Sequence, residues 1–123
     1  MDVFHEGFMG NNHMELVSVD EGKSCVLKAL IEDTSMNPFG IVHGGFIFGL
    51  GDTAMGVIPG SVNKKAVTLS STISYLKPAK GSYLLAKATM IKGGKKTCFL
   101  RVDIYNDQEE LVATMDGNYY YVD

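Results

Sequence analysis

The pattern of hydrophobic residues changes near residue 60. Over residues 44–58, apolar side chains occur on nearly every side of a 3.6-residue repeat, which indicates a helix that is covered on most sides. From Ala66 onward the period is two, and an apolar face alternates with a small, hydroxylic one. The apolar face of this first segment holds Val67, Leu69, Ser71, Ile73 and Tyr75. The sequence therefore predicts one buried helix followed by strands.

Turn residues divide the rest of the chain into short segments. Gly93 and Gly94 give a strong hairpin signal, and Asn37-Pro38 marks a loop that precedes the helix. Residues 1–13 are predicted to form an N-terminal arm or a short helix. The predicted strands are 14–19, 24–31, 66–75, 83–91, 97–105 and 110–122, of which the first two are expected to be edge strands.

Six strands and one apolar helix define an α+β architecture. An antiparallel sheet of this size can curl around the helix and bury it on the concave side. Such a sheet has an open edge, and pairing with a second subunit is a common way to cover it. We therefore expect a homodimer.

Composition and length limit the alternatives. A chain of 123 residues, 46% of them hydrophobic, fits a single domain over residues 1–123. No apolar run approaches the length of a membrane span and the N-terminus does not resemble a signal peptide, so a cytoplasmic protein is expected. Cys25 and Cys98 are isolated, with no histidine at ligand spacing, so buried thiols are predicted rather than a metal site.

The charges are distributed unevenly. Nine basic residues and no acidic ones lie between Thr53 and Val102, although the net charge of the chain is −3. A basic segment in an acidic protein suits a small polyanionic ligand better than nucleic acid. Alternatively, acidic strands lie beside basic ones in the sheet, so that the charges cancel locally.

The helix carries most of the candidate chemistry. Gly45, Gly49, Asp52 and Gly56 follow helical spacing, so one face is bare except for a single carboxylate. A carboxylate in apolar surroundings is costly unless it is paired, hydrogen-bonded or used. Asp52 either serves the chemistry or only bonds backbone or Thr53.

The start of the helix is a candidate oxyanion site. The first N–H groups of a helix have no intrahelical partner and carry partial positive charge. His43-Gly44-Gly45 would let a substrate carbonyl approach these groups closely. Glycines also serve turns, however, and His43 is by itself consistent with a purely structural role.

These residues, in this order and spacing, resemble a known family. Asn37, His43-Gly44-Gly45, Asp52 and the segment YLKPAKG at 75–81 are similar to the hotdog-fold acyl-CoA thioesterases of the phenylacetyl-CoA thioesterase-like branch. The resemblance extends from about residue 14 to the C-terminus. It implies a hotdog fold in which the sheet wraps around the central helix, an acyl-CoA substrate, no cofactor apart from the coenzyme A of that substrate, and dimers that associate into a homotetramer.

The resemblance also implies roles for particular residues. The Gly44 N–H would polarise the thioester carbonyl, and Asp52 would be the nucleophile or the general base. Asn37 and His43 would orient water or the thioester sulfur, and Thr68 would position the attacking water. Because eight residues of helix span about 12 Å, Gly44 and Asp52 of one chain cannot both reach one carbonyl carbon, so each site must combine two subunits.

Substrate-binding residues are less sharply defined. Gly45 and Phe46 lie beside the predicted oxyanion donor, and Ser70 is expected on the same strand face as Thr68, where it could take the place of Thr68. An aromatic or medium-chain acyl group is expected. Two alternatives remain: a hotdog hydratase or dehydratase in which His43 is the acid or base, and a non-catalytic acyl-CoA binding module.

Overall fold

A computed structural model describes residues 7–122 as one sheet and one long helix. The elements are α1 Gly7–Asn11, β1 Met14–Asp20, β2 Ser24–Leu30, α2 Gly44–Gly60, β3 Lys65–Tyr75, β4 Tyr83–Gly93, β5 Thr97–Asn106 and β6 Leu111–Val122. A 3₁₀ turn at Asp33–Ser35 lies in the loop before the long helix. The strands are all antiparallel to their neighbours and follow the order β1-β2-β4-β5-β6-β3.

Helix α2 packs against one face of the sheet and contacts β2, β3, β4, β5 and β6. Its fully buried residues include Leu50, Ala54, Met55 and Ile58. Gly51 allows the helix to approach the sheet, because a Cβ there would overlap Met115. The predicted α+β architecture, a sheet of six strands around one central helix, is confirmed.

The prediction that β2 is an edge strand is wrong. β2 lies between β1 and β4, and its inward side chains Cys25, Leu27 and Ala29 are buried. The edges of the sheet are β1 and β3. A short strand of alternating residues looks the same in sequence whether one or both of its sides are paired, so the pattern could not distinguish the two positions.

The prediction of one continuous apolar face along β3 is also wrong. The register of β3 against β6 shifts between Thr68 and Ser70, so a β-bulge reverses the alternation at that point. Val67 and Leu69 are therefore 49% and 59% exposed. Beyond the bulge, Ser71 is half-buried and its hydroxyl donates to the Asp116 carbonyl at 2.7 Å.

The N-terminal helix α1 covers part of the glycine-bearing face of α2. A Cβ at Gly49 would lie 2.9 Å from Cζ of Phe8, so this glycine makes room for the aromatic ring. The predicted short helix therefore corresponds to Gly7–Asn11. The rest of the predicted arm, residues 1–6, lies outside the described residues.

Both cysteines are free and buried, as predicted. The Cys25 thiol donates to the carbonyl of Ala54 at 3.1 Å, and burial raises its pKa to about 12. A thiol with so high a pKa carries almost no thiolate at neutral pH, so Cys25 is a packing residue. Over residues 7–122, no helix has the length and hydropathy needed to cross a membrane.

Candidate active site

The start of α2 leaves one backbone N–H group open. His43 is the N-cap, and its Nδ1 accepts from the Gly45 N–H at 2.8 Å. The N–H groups of Phe46 and Ile47 donate to the His43 carbonyl at 3.0 and 3.2 Å. The Gly44 N–H has no acceptor among the described residues. Within this first turn, the geometry therefore singles out Gly44 as the N–H that a ligand oxygen could bind.

The acceptor role of Nδ1 also fixes the histidine tautomer. A ring nitrogen that accepts a hydrogen bond is unprotonated, so His43 carries its proton on Nε2. The side chain is exposed, and Nε2–H is therefore a donor available at the same end of the helix.

A cavity of about 390 Å³ adjoins the open N–H group. Its lining includes Gly44, Asn37, Ile47 and Tyr75. The Tyr75 hydroxyl donates to the Gly44 carbonyl at 2.7 Å, and its ring lies 3.3 Å from the position of a Cβ at Gly44. Asn37 Oδ1 accepts from the backbone N–H of Phe39 at 2.9 Å, so this side chain holds the preceding loop in place.

A second polar group lies about two turns along α2. Asp52 is half-buried, and its Oδ1 accepts from Thr68 Oγ1 and from the Tyr119 hydroxyl, both at 2.6 Å. No group among residues 7–122 donates to Oδ2. Thr53, the alternative partner considered from the sequence, instead donates to the Gly49 carbonyl at 2.7 Å.

Sequence reasoning missed Tyr119 as a partner of Asp52. In the sequence it belongs to a run of three tyrosines that could equally well be core or pocket lining. In the structure it is 2% exposed, and its hydroxyl also lies 3.1 Å from the Asp52 carbonyl. Burial, together with the neighbouring carboxylate, raises its pKa well above the usual range for tyrosine. The available signal was the strand period, which places Tyr119 on the same inward face as Met115 and Gly117.

The predicted substrate-binding residues lie in two places, with Gly45 and Phe46 at the start of α2 and Ser70 on β3. The prediction that Ser70 shares a face with Thr68 is wrong: the bulge pairs Ser70 with Asn118, and the Asn118 amide donates to its hydroxyl at 3.3 Å on the outer side of the sheet. Phe46 is half-buried and packs against the hydrophobic core. The Gly45 N–H donates to Nδ1 of His43 and is not free for a substrate. What Gly45 offers a substrate is the space left by its missing side chain.

The open Gly44 N–H and the Asp52 carboxylate lie at two separate places on one helix. The eight-residue interval corresponds to about 12 Å along the axis. The glycine-bearing face is only partly covered: Phe8 fills the space beside Gly49, whereas a Cβ at Gly56, one turn beyond Asp52, would meet no atom of the described residues within 4 Å. A second backbone or a ligand can therefore lie against α2 beside Gly56.

Two groups can be distinguished among the basic residues. On the outer face of the sheet, Lys87 lies opposite Asp103 and Arg101 opposite Asp116, so charge cancels locally there. Lys77 Nζ lies 2.6 Å from a carboxylate oxygen of Glu110. The hydrogen bond from Lys77 makes the largest contribution to lowering the pKa of Glu110, and the hydrogen bond from Asn106 makes the second largest.

The second group, the basic cluster, lies at one end of the sheet. Its position follows from two contacts: residue 65 pairs with Val122, and the Tyr121 N–H donates to the carbonyl of residue 96 at 2.9 Å. These contacts place the start of β3 and the β4–β5 hairpin on either side of the end of β6. The cluster consists of Lys64, Lys65, Lys95 and Lys96.

Comparison with known proteins identifies this architecture. Residues 39–113 match the family model of the thioesterase superfamily, which covers more than half of the chain. The structure of the Escherichia coli PaaI protein from the phenylacetic acid degradation operon superposes with a TM-score of 0.88, at 28% identity and with 94% of this chain and 83% of that chain covered. The sheet and its central helix are the predicted hotdog fold. The chain belongs to the thioesterase superfamily, and the predicted thioesterase class is confirmed.

Three relatives illustrate the range of the family. The Escherichia coli acyl-coenzyme A thioesterase PaaI is 32% identical over 105 residues, which cover 85% of this chain and 74% of that protein. The medium/long-chain acyl-CoA thioesterase YigI of the same species is 25% identical over 95 residues, covering 64% and 61%. A Streptococcus mutans protein solved with acetyl-CoA superposes with a TM-score of 0.83 at 31% identity, covering 89% and 88%.

Proposed function

We propose that the protein hydrolyses acyl-CoA thioesters in a site shared by two subunits. The observation that carries this proposal is the open Gly44 N–H at the start of α2, next to a cavity of about 390 Å³. The names of PaaI and YigI and the acetyl-CoA bound to the Streptococcus mutans relative support the choice of substrate class. The relatives differ in acyl group, and an aromatic or medium-chain acyl group remains our prediction for this chain.

The proposed chemistry divides the work between the two ends of the helix. The thioester carbonyl oxygen accepts from the Gly44 N–H, which stabilises the negative charge that develops there. As a general base, Asp52 takes a proton from water while the water oxygen bonds to the carbonyl carbon; the C–S bond then breaks, and the thiolate of coenzyme A recovers the proton. As a nucleophile, Asp52 attacks the carbonyl carbon, and the C–S bond breaks to leave a mixed anhydride and the thiolate of coenzyme A. Water then hydrolyses the anhydride, which regenerates the carboxylate and releases the proton that the thiolate takes up.

Three further side chains support this reaction. Thr68 holds Oδ1 of Asp52 and lies next to the path of the attacking water. The amide nitrogen of Asn37 has no acceptor among the described residues, and Nε2–H of His43 is exposed; both can donate to the substrate carbonyl or to the sulfur. Gly45 and Phe46 directly follow Gly44 in α2 and remain our predicted substrate-binding residues, whereas the proposed site does not use Ser70, which lies on the outer face.

The proposed dimer brings together the two parts of the site. β3 is an edge strand with exposed apolar residues at Val67 and Leu69, and two copies that pair through this edge around a two-fold axis place their strands antiparallel. The start of α2 in one subunit then lies near the middle of α2 in the other. Association of two such dimers into a tetramer, and a cytoplasmic location, remain predictions.

A panel of acyl-CoA substrates tests the proposed activity. We expect the purified protein to release free coenzyme A thiol from aromatic or medium-chain acyl-CoAs, with kcat/KM differing between acyl groups because groups of different size and shape contact the residues beside Gly44 differently. Thiol is measured with a chromogenic disulfide, and the acyl product by mass spectrometry. A change in the acyl chain without thiol release would indicate a hydratase, and binding without turnover would indicate an acyl-CoA sensor.

The basic cluster is the proposed site for the coenzyme A phosphates. In the antiparallel dimer it lies near the partner's cavity, because the start of each β3 lies beside the end of the other. We expect the double variant Lys64→Ala/Lys65→Ala to raise KM for acyl-CoA about three- to tenfold with kcat retained, since exposed ion pairs contribute up to about 1 kcal/mol each. The increase should shrink at high salt.

Two controls define this experiment. Acyl-pantetheine lacks the nucleotide phosphates, so its KM should be the same for the double variant and the unaltered protein. Lys87→Ala removes a lysine that lies opposite Asp103 on the outer face and should leave KM for acyl-CoA unchanged. Equal increases in KM for acyl-CoA and acyl-pantetheine would show that the basic cluster does not bind the phosphates.

A further inference from the structure

We propose that the buried hydroxyl of Tyr119 positions the Asp52 carboxylate, by holding Oδ1 together with Thr68 so that Oδ2 is the oxygen that reacts. This inference rests on the proposed function, because it assigns Asp52 to the chemistry. Tyr119 acts through Asp52 and is a positioning residue.

The geometry gives Asp52 two donors on one oxygen. Thr68 and Tyr119 face each other across the β3–β6 pair, and each places its hydroxyl 2.6 Å from Oδ1. Two short bonds to the same atom restrict rotation of the carboxylate about its Cβ–Cγ bond. Oδ2, which has no donor among residues 7–122, is left to accept a proton from water or to attack a carbonyl carbon.

The Tyr119 hydroxyl remains a donor under working conditions. Burial and the adjacent carboxylate raise its pKa, so the hydroxyl is protonated at every pH near neutrality. It carries a single proton, and of its two nearby acceptors the carboxylate at 2.6 Å is nearer than the Asp52 carbonyl at 3.1 Å. Tyr119 therefore does not exchange protons with the substrate.

The surrounding chain fixes the tyrosine ring. Tyr119 is 2% exposed, and a Cβ at Gly117 would lie 3.0 Å from its Cε1 and 3.4 Å from Cε of Met55. Gly117 therefore provides the space that the ring occupies beneath α2. Within one chain, Thr68 lies on an edge strand, whereas Tyr119 is buried on a strand paired on both sides, so the tyrosine is held in place without help from a second subunit.

Tyr119→Phe removes the hydroxyl and keeps the ring. We expect kcat to fall about 10- to 100-fold, the rate equivalent of losing a hydrogen bond to a charged group, while KM changes less than about twofold. The matched control is Tyr120→Phe: its side chain is 41% exposed on the opposite face, and it should retain full kcat. Gly117→Ala keeps the Tyr119 hydroxyl but crowds the ring, and it should also lower kcat.

The same substitution in an Asp52→Asn background separates positioning from a general structural effect. If Tyr119 acts through the Asp52 carboxylate, Tyr119→Phe lowers kcat no further once that carboxylate is gone. Full kcat in a folded Tyr119→Phe protein, or an equal loss in the Asp52→Asn background, would overturn the proposal. Normal turnover of Asp52→Asn alone would instead overturn the proposed function, so the two failures can be told apart.

Discussion

Replacing Asp52 with Asn is expected to lower kcat by about 10²- to 10⁴-fold, the range attributed to loss of a general base. The substitution keeps the shape of the side chain but removes its charge and its basicity. Acyl-CoA binding should survive, because in the proposed site it rests on the cavity near Gly44 and on the basic cluster. Single-turnover kinetics would measure the loss of rate. An equilibrium binding measurement with a non-hydrolysable thioether analogue would show whether binding survives.

The same variant should remain at least as stable as the unaltered protein. The amide oxygen of Asn can still accept from Thr68 and Tyr119, while the cost of partly desolvating a carboxylate disappears. The melting temperature is therefore expected to stay constant or rise.

A matched substitution provides the control. Asp103 also accepts from a threonine hydroxyl, that of Thr114 at 2.7 Å, but it lies on the outer face of the sheet. Asp103→Asn should retain full kcat. Near-normal turnover by a properly folded Asp52→Asn protein would exclude Asp52 from the mechanism.

Mixing two inactive variants is expected to restore activity. Asp52→Asn removes the carboxylate, and Gly44→Val covers the open N–H with a side chain that would crowd Tyr75. If each site takes Gly44 from one subunit and Asp52 from the other, a mixed dimer contains one intact site and one doubly altered site. Random exchange makes about half of the dimers mixed, so the mixture should reach about a quarter of the unaltered specific activity.

The measurement requires proof that subunits have exchanged. Two affinity tags of different kinds allow the mixed dimer to be purified and its kcat per dimer determined directly. Each variant alone serves as the baseline. An inactive mixed dimer, or sedimentation of a fully active monomer at the assay concentration, would contradict the shared site.

Much of the fold could be predicted from the sequence because its signals are local. The change of period near residue 60 and the glycine pair at 93–94 mark the helix and a hairpin without any tertiary information. The start of α2 was predictable for the same reason, since His43 and Gly44 adjoin the first apolar turn. The structure adds that the His43 side chain accepts the hydrogen bond of the Gly45 N–H, while the Gly44 N–H stays open.

The remaining features depend on contacts between distant segments. The neighbours of β2 follow from the order of strands in the sheet, which a single strand does not encode. The partnership of Asp52 with Tyr119 joins residues 67 positions apart and requires the register of β3 against β6. The Ser70 prediction failed because alternation along a strand assumes an unbroken pleat, and the bulge before Ser70 breaks it.

The bulge in β3 also determines how the strand tolerates changes in length. Thr68 lies before the bulge and faces α2, and Ser71 lies beyond it on the same side. Loss of the one extra residue at position 69 would remove the bulge without turning either segment over, because Thr68 would still pair with Tyr119 and Ser70 with Asn118. Thr68 would still face Asp52, and Ile73 would stay half-buried. Loss of one residue elsewhere in β3, with the bulge kept, would instead reverse the faces of the segment on one side of the deletion. Among natural variants, single-residue deletions in β3 should therefore be concentrated at position 69.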